Sequence, residues 1–214
     1  MKTARRQKQK GFSLLELVIA MTITLILMAI AATLFSGALG TRARESRRTD
    51  ALTSAQAAIN VMSREIANAG YGLTNNGIVY ADSEQQRLRF RSNVTNSNTV
   101  TCDPGEDVMY FYDATSSSII RYDRFPSVVT NCGAATGETS VVVNRISNVT
   151  FQYFDYTGSS STPTPVTTPT VNTSRVRITV TVQLDQVQGQ PNNQTVTFTS
   201  DVTLRNSDYM LNQY

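Results

Sequence analysis

The stretch KGFSLLELVIAMTITLILMAIAATLFSGAL, Lys10 to Leu39, decides the architecture of this chain. A glycine ends a basic leader, and about 28 mostly apolar residues follow, enough to cross a bilayer as a helix at 1.5 Å rise per residue. From Phe12 through Ser36 there is neither proline nor glycine, so nothing in the run breaks a helix. Lys2, Arg5, Arg6, Lys8 and Lys10 precede it with no acid among them, which favours a cytoplasmic N-terminus and puts whatever follows Leu39 across the membrane. One carboxylate, Glu16, stands in the first turn of this run. A charge there is costly unless it lies near the headgroups, is neutral or is paired, so it calls for a functional explanation.

Three readings compete: a permanent anchor, a secretory signal peptide, and a processed segment that becomes an assembly element. Signal-peptide cores span about 7–15 apolar residues, and this run is about twice that, although Ser36-Gly37-Ala38 offers a small-x-small cleavage site. A cut between Gly11 and Phe12 would create a cationic α-amine four residues from Glu16, on the same helical face. The carboxylate would then have a partner, in the first turn where the helix dipole favours negative charge.

Lys10-Gly11-Phe12-Ser13-Leu14-Leu15-Glu16-Leu17, with its basic leader and unbroken apolar run, resembles the class III signal of bacterial type IV pilins and pseudopilins. The resemblance implies cleavage after Gly11 by a prepilin peptidase and N-methylation of the new terminal residue, Phe12. It further implies that Glu16 meets the N-terminal amine of a neighbouring subunit during assembly.

Composition narrows the remaining classes. The chain of 214 residues has a pI near 9.0, but five of its 19 basic residues sit in the leader, and the other 14 face 16 acids. The charge therefore gives no case for nucleic acid as a partner. With no His, and with no nucleophile, base and orienting group together, an enzyme is the class least supported, and no metal or cofactor is expected. Cys102 and Cys132 lack any CxxC or Cys/His company. In an exported domain a disulfide is the better reading, and it would stabilise a loop of about 30 residues by roughly 3–4 kcal/mol. Two free buried cysteines are the alternative.

Beyond the membrane run, Leu52, Ala55, Ile59, Met62, Ile66 and Ala69 recur at spacings of three and four, tracing one apolar stripe on a continuing helix. The helix should reach about Asn68 and stop at Gly70 and Gly72, giving a rod of roughly 85 Å. Arg42, Arg44, Arg47 and Arg48 could form a phosphate patch, but a solvated helix face or ion pairs with Glu45, Asp50 and neighbouring subunits explain them better.

From Tyr71 alternation and β-branched residues take over, with strands expected at Ile78–Ala81, Arg87–Arg91, Val108–Asp113, Ser118–Arg124, Ser140–Asn144, Val149–Tyr156, Arg175–Leu184 and Thr195–Leu204. The fold class is thus α+β: a long N-terminal helix, membrane-spanning over 12–39 and amphipathic over 40–70, packed on an antiparallel β-sheet head over 71–214. Residues 1–11 form the leader. The Ser/Thr/Pro-rich segment 157–174 should be an exposed loop. Aromatics such as Tyr110, Phe151, Tyr153 and Phe154 should fill the core, and Asp103, Glu106 and Asp107 fit a turn at Pro104-Gly105 better than a calcium site.

The helix end MSREIANAGYGL and the closing VTFTSDVTLRN are similar to those of PilW-type minor pilins. Unlike major pilins, the chain has no proline in its membrane helix, and two long strands follow Cys132 rather than a C-terminal disulfide. The resemblance implies a minor pilin that primes or caps a filament at the inner membrane, with its head in the periplasm. Its partners would be a prepilin peptidase, other pilins reached through the N-terminal helix, and an inner-membrane assembly platform. A pseudopilin of a type II secretion system remains the nearest alternative. A tip adhesin or DNA receptor would need exposed binding groups that the sequence does not identify.

Overall fold

The computed structural model describes residues 11–95, 101–128, 132, 135–157, 162–184 and 194–213. The basic leader 1–10 and residues 158–161 of the Ser/Thr/Pro segment lie outside the described residues. The chain divides into two units, one up to Ser46 and one from Arg47 to Tyr214.

Helix α1 runs Leu14–Ala67, one residue short of its expected end. In the first unit its apolar side chains are exposed all round, from Leu14 to Leu39. Threonines are tolerated there because each hydroxyl folds back onto a carbonyl of the preceding turn, as Thr24 Oγ1 does onto Ala20 O at 2.7 Å. In the second unit the helix is one-sided. Ala55, Ala58, Ile59, Met62, Ile66 and Ala69 are all at most 3% exposed, and each fully buried Ile or Met side chain is worth about 1.5–3 kcal/mol.

Two four-stranded antiparallel sheets share that core. The first is ordered β1 (Arg87–Arg91), β2 (Asp107–Asp113), β3 (Ser118–Asp123) and β4 (Glu138–Asn144). The second is ordered β6 (Thr164–Val166), β5 (Ile146–Asp155), β7 (Thr173–Gln183) and β8 (Thr195–Thr203). Leu88, Phe90, Val108, Tyr110 and Ile119 from one sheet, and Phe151, Tyr153, Val176, Ile178 and Val180 from the other, join the helical stripe in one cluster. Strict alternation in β7 drives this: Val176, Ile178, Val180 and Val182 point inward, leaving Arg175, Arg177, Thr179 and Thr181 half-buried on the other face. Phe154 is the aromatic on that outer face, and it is covered by the Arg175 guanidinium, 4.2 Å from its ring centre.

Polar groups pin the helix in place. Tyr110 donates its hydroxyl to Glu65 Oε2 at 2.7 Å, and Arg121 Nε donates to the same oxygen at 3.1 Å. Burial, reinforced by the Glu65 carboxylate, pushes the Tyr110 phenol pKa well up, so it remains a hydroxyl donor.

Two local expectations differ from the structure. Ile78–Ala81 is not a strand: Ile78 makes a single bridge to Phe90, and a 3₁₀ turn follows at Tyr80–Asp82. Ser83 explains the change, since its hydroxyl donates to Val79 O at 2.9 Å and accepts from Arg89 N at 3.0 Å, replacing ladder bonds. The segment 157–174 is not wholly an exposed loop. It contains β6 on the sheet edge, where Pro165 needs no ladder donor, and Asp155 accepts the hydroxyls of Thr170 and Thr173 at 2.6 Å each. A short helix α2 (Asp208–Leu211) also closes the described chain, with Tyr209 stacked on Tyr156.

The junction between helix and sheet depends on two glycines. Gly70, at φ 78°, leaves the helix and donates its N–H to Arg91 O, while Arg91 N donates to Gly77 O, at φ 76°. A Cβ on Gly77 would lie 2.1 Å from Gly70 N and 2.4 Å from Arg91 O. Gly105 also has positive φ, but a Cβ there meets nothing nearer than Arg121 Nη2 at 3.8 Å. Gly77→Ala is therefore expected to cost about 3 kcal/mol or more, and Gly105→Ala about 1 kcal/mol, in urea unfolding of the detergent-solubilised protein. Equal losses would show that crowding at this junction does not matter.

Candidate functional site

The N-terminal segment is built by its first few residues. Gly11, Phe12 and Ser13 precede the helix, and Leu17 N donates to Ser13 O at 3.1 Å, so Ser13 is the residue on which the first turn closes. Glu16 falls in that turn, where the unpaired N–H groups and the helix dipole favour a carboxylate. Phe12 is 82% exposed, and nothing lies within 4 Å of the position a Cβ on Gly11 would take, so the Gly11–Phe12 bond is sterically open. Phe12 and Glu16 lie on one side, lining a shallow apolar concavity with Leu17, Ala20 and Met21. The arrangement offers a carboxylate in the first helical turn on the same side as the Phe12 ring.

This helix is long and apolar enough to cross a membrane, and its apolar window has no buried residue. Arg44, just beyond the apolar run, donates Nε back to Gly40 O at 3.1 Å rather than presenting all of its donors outward.

Cys102 and Cys132 are bonded, with Cα atoms 5.5 Å apart. Of the three acids near Cys102, Asp103 and Glu106 meet at the Thr95 hydroxyl, 2.6 and 2.8 Å from it, while Asp107 is turned to arginines. Asp107 is salt-bridged to Arg89 and Arg91, and Glu106 accepts from Thr95 Oγ1 and Asp103 N. Gly105, at φ 81°, makes the turn expected at Pro104-Gly105. Among the described residues no group of His, Cys, Asp or Glu is arranged to hold a metal.

The two later stretches singled out in the sequence touch one another. Arg205 N donates to Ala67 O at 3.3 Å and Asn206 Nδ2 to Ala69 O at 3.2 Å, so Arg-Asn after the last strand satisfies carbonyls at the end of α1. Sequence reasoning could not pair them, because Ala69 and Asn206 are 137 positions apart and no local signal marks the contact.

Residues 6–32 match the family described as the prokaryotic N-terminal methylation motif, which supports a type IV pilin-like prepilin signal. No curated protein and no solved structure matches the chain.

Protein isolated without reductant should leave Cys102 and Cys132 unlabelled by a thiol reagent under denaturing conditions, and label both after reduction. Its unfolding midpoint should fall on reduction, by an amount corresponding to roughly 2–4 kcal/mol. Free thiols before reduction would refute the bond.

Proposed function

We propose that the chain is a type IV pilin-like subunit, most like PilW-type minor pilins, that helps to initiate or cap a filament at the inner membrane and can enter it. The observation that carries this reading is the methylation motif at 6–32, which spans the start of a helix where Phe12, just before it, and Glu16, in its first turn, lie on one side. In this reading prepilin peptidase cuts after Gly11 and the new N-terminus at Phe12 is methylated. The apolar half of α1 then sits first in the inner membrane, with the remaining domain in the periplasm. Later it lies among the helices of other subunits.

Glu16 is the latch in this scheme. Its carboxylate receives the α-amine of Phe12 from a neighbouring subunit in a low-dielectric setting, which lets two groups that are costly alone enter the filament core together. The minor-subunit assignment is supported by a helix with no proline over Leu14–Ala67 and by a disulfide that precedes the whole second sheet.

Processing has a chemical signature in this chain. Lys2, Lys8 and Lys10 are its only lysines, so cleavage after Gly11 removes every side-chain amine. Amine-reactive labelling of the mature membrane form should fall to the α-amine alone, and intact mass should give a chain beginning at methylated Phe12. A mature chain beginning at Leu39 would overturn the proposal.

Glu16→Ala should leave cleavage intact, because leader, glycine and apolar run are unchanged, yet strand the neighbouring amine at a cost of roughly 3–5 kcal/mol. The cleaved variant should accumulate in the inner membrane and be depleted from sheared filaments and crosslinked priming complexes. Wild-type incorporation would show that the carboxylate is not the latch.

A further inference from the structure

Asn76-Gly77 is the only Asn-Gly pair in the sequence, and it sits at the junction between helix and sheet. The dipeptide is chemically fragile, because a residue without a Cβ lets its backbone N swing onto the asparagine Cγ and close a cyclic imide.

Folding prepares one of the reacting groups and restrains the others. Asn76 is 1% exposed, and its Oδ1 accepts from Ile78 N at 3.2 Å and from the Tyr80 hydroxyl at 3.1 Å. Two donors on that oxygen polarise the amide carbonyl toward attack. Gly77, which carries the attacking nitrogen, is pinned at both ends. Its N–H donates to Asn75 Oδ1 at 2.9 Å, and its carbonyl accepts from Arg91 N at 2.7 Å. It is also wedged against Gly70 and Arg91, so it has no room to swing toward Cγ. The group that would leave is tied as well. Asn76 Nδ2 donates to Thr173 O at 2.9 Å and to Thr170 O at 3.0 Å, with Val171 O at 3.4 Å.

We propose that Asn76 is a modification site locked by the fold: it is deamidated when this junction opens, and the reaction then bars the junction from closing again. In the opened chain Gly77 N gives its proton to solvent and attacks Asn76 Cγ. The new N–C bond closes a succinimide, the Cγ–Nδ2 bond breaks, and ammonia leaves after taking up a proton from solvent. Water then adds to either imide carbonyl, breaking its bond to nitrogen and leaving aspartate or isoaspartate at position 76. Aspartate puts a carboxylate oxygen where an amide donor had met the carbonyls of Thr170 and Thr173, so charge and lone pairs face acceptors with no proton between them. Isoaspartate routes the main chain through the former side chain and lengthens it where Gly77 already touches Gly70. The step is therefore one-way, and it marks permanently those subunits that have opened here. The site lies wholly within the unit from Arg47 to Tyr214, so this inference stands or falls apart from the assembly role.

The test incubates the detergent-solubilised full chain at mildly alkaline pH, native in one arm and in urea with reductant in the other. Position 76 is followed by peptide mass spectrometry and by methyl transfer from a protein isoaspartate methyltransferase. Conversion should be slower in the native arm by about a hundredfold or more, since it waits on opening of a core-anchored segment. In urea Asn76 should react ahead of Asn75, and converted chains should not recover the native Tm when urea is removed. Asn76→Asp should lower Tm by about 5 °C or more or prevent folding, whereas Asn75→Asp, at an exposed position that still accepts from Gly77 N, should not. Four results would each overturn the proposal: equal rates in the two arms, Asn76 reacting no faster than Asn75 in urea, recovery of the native Tm by converted chains, or a wild-type Tm for Asn76→Asp.

Discussion

Burial of one helical stripe organises everything from Arg47 onward. Ala55, Ala58, Ile59, Met62 and Ile66, continued by Ala69 just past the helix end, give α1 a face that has to leave water, and the alanines among them let strands approach closely. Two separate sheets turn their apolar faces to it, and neither could remain soluble with Val176, Ile178 and Val180, or Leu88, Phe90 and Val108, left uncovered. Apolar packing alone would allow the helix to slide. Glu65, held by Tyr110 and Arg121, fixes its position, as does the hydroxyl contact of Ser63 with Ser200 on β8 at 3.1 Å.

A second constraint follows at the point where the helix ends. The chain must turn sharply into β1 while its last carbonyls still find donors. Gly70 and Gly77 allow backbone to pass against backbone there, and Arg205 and Asn206 return from the far end of the chain to donate to Ala67 and Ala69. Beside this junction Asp107 gathers Arg89 and Arg91 from β1, as well as Arg124 from the end of β3. Pairing with Asp107 is the main reason that Arg89 is held firmly protonated, its pKa raised above the ordinary guanidinium value.

The N-terminal part of the same helix follows a different logic. Side chains from Leu14 to Leu39 are exposed around the whole circumference, a pattern that suits lipid or other apolar helices and not one covering face. In such surroundings a lone carboxylate is tolerable at the helix start and costly further in. Glu16 stands in the first turn, inside the stretch 6–32 that matches the methylation motif.

The sequence by itself determined the elements whose signals are local. An unbroken apolar run, a stripe at spacings of three and four, and alternating strands such as Arg87–Arg91 are set by residues within a few positions of one another, and the structure has them within a residue or two. The methylation motif over residues 6–32 was legible for the same reason. Tertiary structure decided what depends on distant partners. Ile78–Ala81 reads as a strand until Ser83 takes its ladder bonds, and Thr164–Val166 reads as loop until β5 offers it an edge. The division into two sheets, the meeting of Asn206 with Ala69 and the gathering of three arginines around Asp107 leave no periodic trace, because pairing across tens of residues is chosen by packing and charge only once the chain has folded back on itself.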